Sequence, residues 1–207
     1  PFFFEAPNGD GMNFITPALE GTKNVLSSAK RAGTIERIIL TSSCAAVTWA
    51  DPTPKGTAYI WSEDDWQTDN TLENGASRMS KSLAEREAWK LSQELNIEMV
   101  SICPSFILGP VLNSRADAAS VSFMESLIDG STESVSAAAF GIVDVRNVAQ
   151  AHVNAMHVDL SLNGLRNSSG EARFVLSSED SIPRENIAKA LLQSSEFQGW
   201  PVPKKSD

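Results

Sequence analysis

Cysteine is scarce in this chain of 207 residues, which contains only Cys44 and Cys103. Each of the two lies beside a strand-like apolar run, and a free cysteine is among the side chains most often buried. Disulfides that stabilise a fold belong to oxidising compartments and usually come in larger sets. We therefore predict two buried free thiols and a cytoplasmic location.

Basic charge and long apolar runs are also lacking. The chain has 17 Lys and Arg against 26 Asp and Glu, a formal net charge of −9, which repels the phosphates of nucleic acids. No apolar run approaches the ~20 residues that span a bilayer, and no secretory signal is visible at the start. These absences predict a protein that binds neither nucleic acid nor membrane.

The chain also lacks two kinds of catalytic pattern. Its only histidines, His152 and His157, are not accompanied by a cysteine or carboxylate cluster at ligand spacing, so we predict no metal site. The G-x-S-x-G turn of one large class of serine hydrolases is absent as well. With 42% apolar residues, the composition is that of an ordinary globular protein.

What is present begins with an alternation of helical and extended patterns. A helical stripe over residues 13–32 precedes Gly33, which suits the position after a helix end. Arg37–Thr41 follows as a strand in which Ile38, Ile39 and Leu40 form a continuous apolar run, as expected for a parallel strand covered on both faces. A helix that leads into a buried strand is typical of an α/β fold.

The same alternation occurs again after a long loop. Residues 50–75 are polar and aromatic, and long loops in compact domains often carry function. A helix is predicted over 76–95 and a strand over 98–103, stopped by Pro104. The predicted buried stripe of that helix consists of Ala84, Ala88, Leu91 and Leu95.

The pattern weakens after Gly109, and two further helices are predicted from their start signals. Asp144 can cap a helix that carries Val148, His152 and Ala155. Pro183, preceded by Asp180 or Ser181, indicates the start of another.

Several segments are informative as a set: EGTKNVLSSAKRAG at 20–33, RIILTSSCAAV at 37–47, SKSLAEREAW at 80–89, ICPSFILGPVL at 102–112, IVDVRNVAQAHVNAM at 142–156 and FVLSSE at 174–179. In the same order, they resemble segments of the dihydroflavonol 4-reductase and cinnamoyl-CoA reductase group of the extended short-chain dehydrogenase/reductases, within the NAD-dependent epimerase/dehydratase superfamily. The resemblance implies a Rossmann-like, doubly wound parallel sheet.

The resemblance also suggests how much of such a protein is present. Residues 1–110 correspond to the C-terminal half of the Rossmann-like layer, and 111–207 to substrate-binding segments with a returning helix and strand at about 142–178. Together they form a single partial domain. The Pro1-Phe2-Phe3-Phe4 start resembles the tail of a strand-end motif, so we expect both ends to be cut. A Met-Pro start that has lost its methionine is the alternative.

The resemblance further implies a catalytic serine, tyrosine and lysine. Ser43 matches the serine that polarises the substrate carbonyl, with Ser42 as the alternative register, and Lys81 matches the lysine. Residues i and i+4 share a helix face, so an ammonium at 81 lies beside a side chain at 77 and lowers the pKa of a phenol there. This chain, however, has Ser77 at the tyrosine position.

Serine is a poor substitute for that tyrosine. An aliphatic alcohol holds its proton more tightly than a phenol, whose pKa is about 10, and its oxygen lies closer to the backbone. The only tyrosine, Tyr59, lies in the long loop and not on the helix face of Lys81. We therefore expect the chain to be impaired or inactive in catalysis.

For the cofactor, the resemblance implies NADP. Lys81 would also bond the nicotinamide ribose, the segment Pro104, Ser105, Phe106 and Ile107 would enclose the nicotinamide, and Ser114 matches a serine that contacts the cofactor. Alternatively, the prolines and glycine of this segment only end the strand and have no role in binding. The sequence has no G-x-x-G-x-x-G or G-x-G-x-x-G turn to hold the pyrophosphate, so we expect low nucleotide affinity.

Two functions follow from these patterns. The first is an NADP-dependent oxidoreductase that acts on a small-molecule carbonyl or on a CH–OH group, with Trp61, Trp66 and residues 110–140 lining the substrate pocket. The second is a non-catalytic Rossmann-like remnant that binds a ligand or partner. The second is favoured by Ser77.

Overall fold

The computed structural model describes residues 10–51, 53–56, 59–112, 118–136, 138–162 and 164–206. Its helices are α1 (Met12–Ala32), α2 (Ala76–Leu95), α3 (Ala119–Ile128), α4 (Val145–His157) and α5 (Arg184–Gln193). The strands are β1 (Arg37–Thr41), β2 (Glu98–Pro104), β3 (Phe106–Leu108), β4 (Ser134–Val135), β5 (Ala139–Phe140), β6 (Ile142–Asp144), β7 (Ala172–Leu176), β8 (Ile182–Pro183) and β9 (Lys205–Ser206). Short 3₁₀ turns cover Cys44–Ala46, Thr53–Lys55 and Ser195–Phe197.

The described chain divides into two compact units. The first contains residues up to 104 and 149–176, and the second contains 105–148 and those from 177 onward. None of the described helices is long and apolar enough to cross a membrane. The division of the chain at residue 110 stays a prediction.

The first unit is built on the parallel sheet β1-β2-β7, in which β2 is central. Ile39 pairs with Val100, and Ile102 pairs with Phe174. Every residue of β2 from Met99 onward is buried, because a parallel strand in this fold is covered on both faces. The predicted strands at 37–41 and 98–103 are confirmed, and the second extends to Pro104. Burial on both faces is confirmed for β2 only, because β1 is half-buried and its last residue, Thr41, is exposed.

Helices α1 and α2 pack against each other and cover the sheet. Their buried residues Leu26, Ala88 and Trp89 join the apolar strand residues in one core. The predicted helix at 13–32 is confirmed, and it begins one residue earlier. Gly33 follows it in the left-handed conformation, with φ of 69°, and its N–H donates to the carbonyl of Lys30, as expected for a helix end.

The predicted helix at 76–95 is also confirmed, but its buried side is only partly the predicted one. Ala88 is buried, whereas Ala84, Leu91 and Leu95 are half-buried. The fully buried positions of α2 include Glu85, which is 1% exposed. A carboxylate reaches that depth only with partners, and its partners come from distant strands.

The second unit combines short strand pairs with α3 and α5. Strand β6 pairs with β3 in parallel, β9 with β4 in parallel, and β8 with β5 in antiparallel fashion. The predicted helix after Asp144 is confirmed as α4, and the Asp144 carboxylate accepts the N–H of Arg146 over 2.7 Å. The helix predicted near Pro183 is α5, but Pro183 occupies its cap position and no side chain bonds to the first turn. The predicted helix start is therefore confirmed, without a side-chain cap from Asp180 or Ser181.

Candidate active site

The candidate site begins where β1 ends. The N–H of Ser42 donates to the carbonyl of Ile102 over 2.8 Å and so continues the pairing of the strands. Ser43 then keeps an extended backbone, with φ of −161°, and its Oγ accepts the N–H of Ala45 over 3.1 Å. Ser43 thus caps the 3₁₀ turn that starts at Cys44, which gives its side chain a defined orientation.

This turn packs against α2, the helix that carries Ser77 and Lys81. Both side chains are half-buried, and they lie one helical turn apart on the same face. Burial lowers the pKa of the Lys81 ammonium, since desolvation disfavours its charged form. The carbonyl of Ser77 accepts the hydroxyl of Ser80 over 2.7 Å.

Two further side chains of α2 connect the helix to the segment that contains Ser43. Arg78 donates through Nη2 to the carbonyl of Thr48 over 2.5 Å and to its hydroxyl over 2.9 Å. Seven residues on, Glu85 accepts the hydroxyl of Ser42 at Oε2 over 2.6 Å. The turn that carries Ser43 is therefore attached to α2 on both sides of Lys81 along the helix. Sequence reasoning missed both residues.

Glu85 is the centre of a buried polar network. Its Oε1 accepts the Nε of Arg173 and the hydroxyl of Ser101, each over 2.7 Å. Arg173, 2% exposed, also donates through Nη1 to the carbonyls of Glu63 and Asp65. The network thus links α2, two strands and the long loop. No periodic pattern could have revealed it, because Arg173 and Glu85 lie far apart in sequence.

Tyr59 is bonded within the long loop. Its hydroxyl donates to Oδ1 of Asp65 over 2.6 Å, and Lys55 Nζ lies 4.7 Å from the centre of its ring. The hydrogen bond to Asp65 raises the pKa of the phenol, because it favours the neutral form. A tyrosine that donates a proton near neutral pH needs the opposite shift.

The two tryptophans of the loop lie in different surroundings. Both Arg173 and Arg86 place their guanidinium carbons over the ring of Trp66, at 3.7 and 4.1 Å from its centre. Trp61 contacts Trp49 at 6.0 Å and Tyr59 at 5.1 Å between ring centres. Trp66 is therefore a packing partner of the buried network. A pocket-lining role for either residue stays a prediction.

The predicted nicotinamide segment begins with Pro104, which is buried as the last residue of β2. In the second unit, the Ser105 hydroxyl is buried and has no hydrogen-bond partner. Phe106 pairs its N–H with the carbonyl of Gly141 over 2.9 Å, and Ile107 pairs with Val143 in β6. Ser114 lies outside the described residues.

An aromatic cluster in the second unit also escaped sequence reasoning. The ring of Phe106 stacks on Phe140 at 4.4 Å and contacts Phe123 edge-on at 5.5 Å. The Arg184 guanidinium lies 4.5 Å from the centre of the Phe140 ring, and its Nη1 donates to the hydroxyl of Ser136. This cluster falls partly within the predicted pocket segment 110–140.

One of the two histidines joins α4 to the sheet. His152 Nε2 and the Thr41 hydroxyl lie 2.7 Å apart, which joins α4 to the end of β1. Across the described ranges, no group of three histidine, cysteine, aspartate or glutamate side chains could hold a metal ion.

Comparison with known proteins finds relatives of this chain among plant reductases. No family model matches the chain. It is 36% identical to cinnamoyl-CoA reductase CAD2 of Medicago truncatula over 158 residues, which are 75% of this chain and 47% of that protein. It is 32% identical to an anthocyanidin reductase of Vitis vinifera over 165 residues, 73% of this chain and 47% of that protein. The chain spans about half the length of these curated relatives.

Solved structures show the same fold. Yeast methylglyoxal/isovaleraldehyde reductase Gre2, complexed with NADPH, matches 98% of this chain and 61% of its own with a TM-score of 0.76 at 23% identity. Vestitone reductase from alfalfa matches 97% and 67% with a TM-score of 0.65, also at 23% identity. The fold is thus that of the Rossmann-like reductases. By sequence this chain is thus similar to cinnamoyl-CoA reductase and to other plant reductases, and by fold to the Rossmann-like reductases.

Proposed function

We propose that this chain carries the catalytic helix and strand end of an NADP-dependent carbonyl reductase, and that Ser77 makes its turnover weak. The observation that carries the proposal is the packing of the turn capped by Ser43 against α2, the helix that carries Ser77 and Lys81. In the family that the chain resembles, the helix face at these positions meets the substrate carbonyl. We infer from the relatives that the substrates of this chain are small-molecule carbonyl compounds.

In this arrangement Ser43 has the role of polarising the carbonyl oxygen. The hydroxyl of Ser42 already donates to Glu85, whereas Ser43 sits in the turn that packs on α2, which favours Ser43 over the alternative register. Lys81 supplies a cation beside position 77. Its lowered pKa results from burial, as is common for lysines in active-site clefts.

The missing step is proton donation. A positioned general acid contributes about 10²–10⁴-fold to the rate, and Ser77 offers no phenol to provide it. Tyr59 is bonded to Asp65 with a raised pKa. We therefore expect residual turnover that is lower than that of a tyrosine-bearing relative by roughly this factor.

The first unit offers one residue that fits a nicotinamide cofactor, since half-buried Lys81 suits a ribose hydroxyl. A bound nicotinamide would supply the hydride. The 207 residues contain no glycine-rich turn for the pyrophosphate, so we expect weak affinity for the nucleotide.

The test is the substitution Ser77→Tyr, with Ser77→Phe as a matched control that adds the ring without its hydroxyl. NADPH consumption is followed with cinnamaldehyde and with cinnamoyl-CoA. We expect Ser77→Tyr to raise kcat by about 10²–10⁴-fold over the unsubstituted chain, and Ser77→Phe to raise nothing. Equal turnover of the chain and of Ser77→Tyr would refute the role assigned to position 77.

The second candidate function is a non-catalytic binding module, which Ser77 favours. This candidate predicts that Ser77→Tyr gains no turnover even when NADPH saturates its binding site. The fluorescence of NADPH measures that binding. Adding Lys81→Met to the Ser77→Tyr variant separates the two candidates further. If Lys81 serves catalysis, the turnover gained with Ser77→Tyr is lost again. In a binding module, neither variant shows turnover.

A further inference from the structure

We infer that Ser42 and Glu85 form a positioning pair that sets the orientation of the Ser43 hydroxyl. The inference rests on the proposed function for its catalytic meaning, but its geometric content can be tested without turnover. Neither residue is placed at the reacting atoms. They act through the backbone of the turn between β1 and the 3₁₀ segment at Cys44–Ala46.

The first step is the rigidity of the Glu85 carboxylate. Glu85 is 1% exposed, and its two oxygens accept hydrogen bonds from Arg173, Ser101 and Ser42. These donors come from β7, from β2 and from the end of β1. A buried carboxylate bonded from three strands has little freedom to move, so it provides a fixed point for the Ser42 hydroxyl.

The second step is the location of this fixed point. Ser77, Lys81 and Glu85 are spaced at i, i+4 and i+8, and they therefore lie along one face of α2. The bond from Ser42 to Oε2 of Glu85, 2.6 Å long, thus attaches the residue before Ser43 to the same helix face as Lys81. The position of Ser43 along α2 is set by this attachment.

The third step is the geometry on either side of Ser43. On one side, Ser42 is held through its N–H by Ile102 and through its hydroxyl by Glu85. On the other side, the N–H of Ala45 donates to Ser43 Oγ over 3.1 Å. Without the hydrogen bond from its hydroxyl to Glu85, Ser42 is held only by the bond from its N–H to Ile102. The hydrogen bond between Ala45 N–H and Ser43 Oγ should then break more often.

The chain offers a matched control for this step. Ser42 and Ser101 each donate one hydroxyl to the same carboxylate, over 2.6 and 2.7 Å, but Ser101 lies inside β2 and is fully buried. Ser42→Ala and Ser101→Ala both remove one hydrogen bond from Glu85. A merely structural role of the network predicts similar effects of the two substitutions on the turn.

The measurement is amide hydrogen exchange at Ala45, whose N–H reports the Ser43 cap. We expect Ser42→Ala to speed this exchange by roughly five-fold or more, and Ser101→Ala to leave it within about two-fold, since exchange follows local opening. Ser42→Thr restores the hydroxyl and should restore slow exchange. Urea unfolding of each variant separates local from global opening. Equal effects of the two alanine variants, or no effect of either, would overturn the inference.

A second readout uses the Ser77→Tyr background. There Ser42→Ala should lower kcat about ten-fold with little change in KM, because the loss concerns a group that acts in the transition state, whereas Ser101→Ala should leave kcat unchanged. If kcat is the same for both, the catalytic meaning of the pair is refuted. If Ser77→Tyr shows no turnover, the proposed function has failed, and the exchange at Ala45 alone decides whether Ser42 and Glu85 position Ser43.

Discussion

Arg173 donates through Nε to Oε1 of Glu85 over 2.7 Å, and neither side chain is exposed to solvent. Removing one partner leaves a buried charge without compensation, so Glu85→Leu or Arg173→Met should each lower the free energy of unfolding by about 3–5 kcal/mol. The double variant should cost less than the sum of the two. Urea unfolding measures all three.

The control for this prediction is an exposed pair of the same charge type. Lys189 and Glu185 are 58% and 37% exposed and lie at i, i+4 on α5. Lys189→Met should change the free energy of unfolding by about 0.5 kcal/mol or less. Additive effects of the two buried single substitutions would contradict a coupled pair.

The two thiols should differ in reactivity. Burial, reinforced by the nearby Glu85 carboxylate, raises the pKa of Cys103 to about 12, so at pH 8 its reactive thiolate is scarce. The pKa of Cys44 is also raised by burial, although the Arg78 guanidinium opposes the shift. With an aromatic disulfide reagent at pH 8, we expect slow reaction at Cys44 and reaction of Cys103 only on unfolding. Cys44→Ser should leave one protected thiol, and rapid labelling of that variant would contradict the prediction.

A side chain at Gly109 should destabilise the folded state. Its φ is 140°, and a Cβ there would lie 2.7 Å from Cγ1 of Val145. Gly109→Ala should therefore lower the free energy of unfolding by about 1–3 kcal/mol through strain and overpacking. Gly170 also has a positive φ, of 81°, but open space around it, so Gly170→Ala isolates the backbone strain alone and should cost less. Equal costs would show that the contact with Val145 relaxes freely.

The contribution of Asp144, at the start of α4, to the stability of the folded state should depend on pH in the acid range. Hydrogen bonds from Arg146 lower the pKa of Asp144 to about 2, below the ~3.9 expected in the unfolded chain. A lowered carboxyl pKa stabilises the folded state above about pH 4, and this contribution is lost as the pH falls through about 2. Asp144→Asn should remove that part of the pH dependence. Titration of the Arg146 amide signal by NMR measures the midpoint, and a midpoint near 4 would contradict it.

Much of the first unit was predictable because its signals are local. The strand Arg37–Thr41 was predicted from its run of consecutive apolar residues. Helix α2 was predicted from apolar residues that recur at helical spacing. Both signals come from residues close together in sequence, and the structure confirms both elements. The buried face of α2 was predicted less well. Glu85 was not part of the predicted stripe, since its partner Arg173 is supplied by β7, which only the folded sheet brings within reach.

Within the candidate site, sequence could nominate Ser43, Ser77 and Lys81 but not their surroundings. The bond between Ser42 and Glu85 joins residues from the end of a strand and the middle of a helix. Likewise, the bond of Tyr59 to Asp65 depends on the fold of the long loop. Neither contact has a periodic signature.

By itself, the sequence determined the α/β class, the order of the first helices and strands and the similarity to plant reductases, because motifs and periodicity are properties of neighbouring residues. Only the tertiary structure decided how the strand end is held against the helix. A buried carboxylate is stable only where donors converge on it, and convergence of Ser42, Ser101 and Arg173 on Glu85 is a property of the folded sheet.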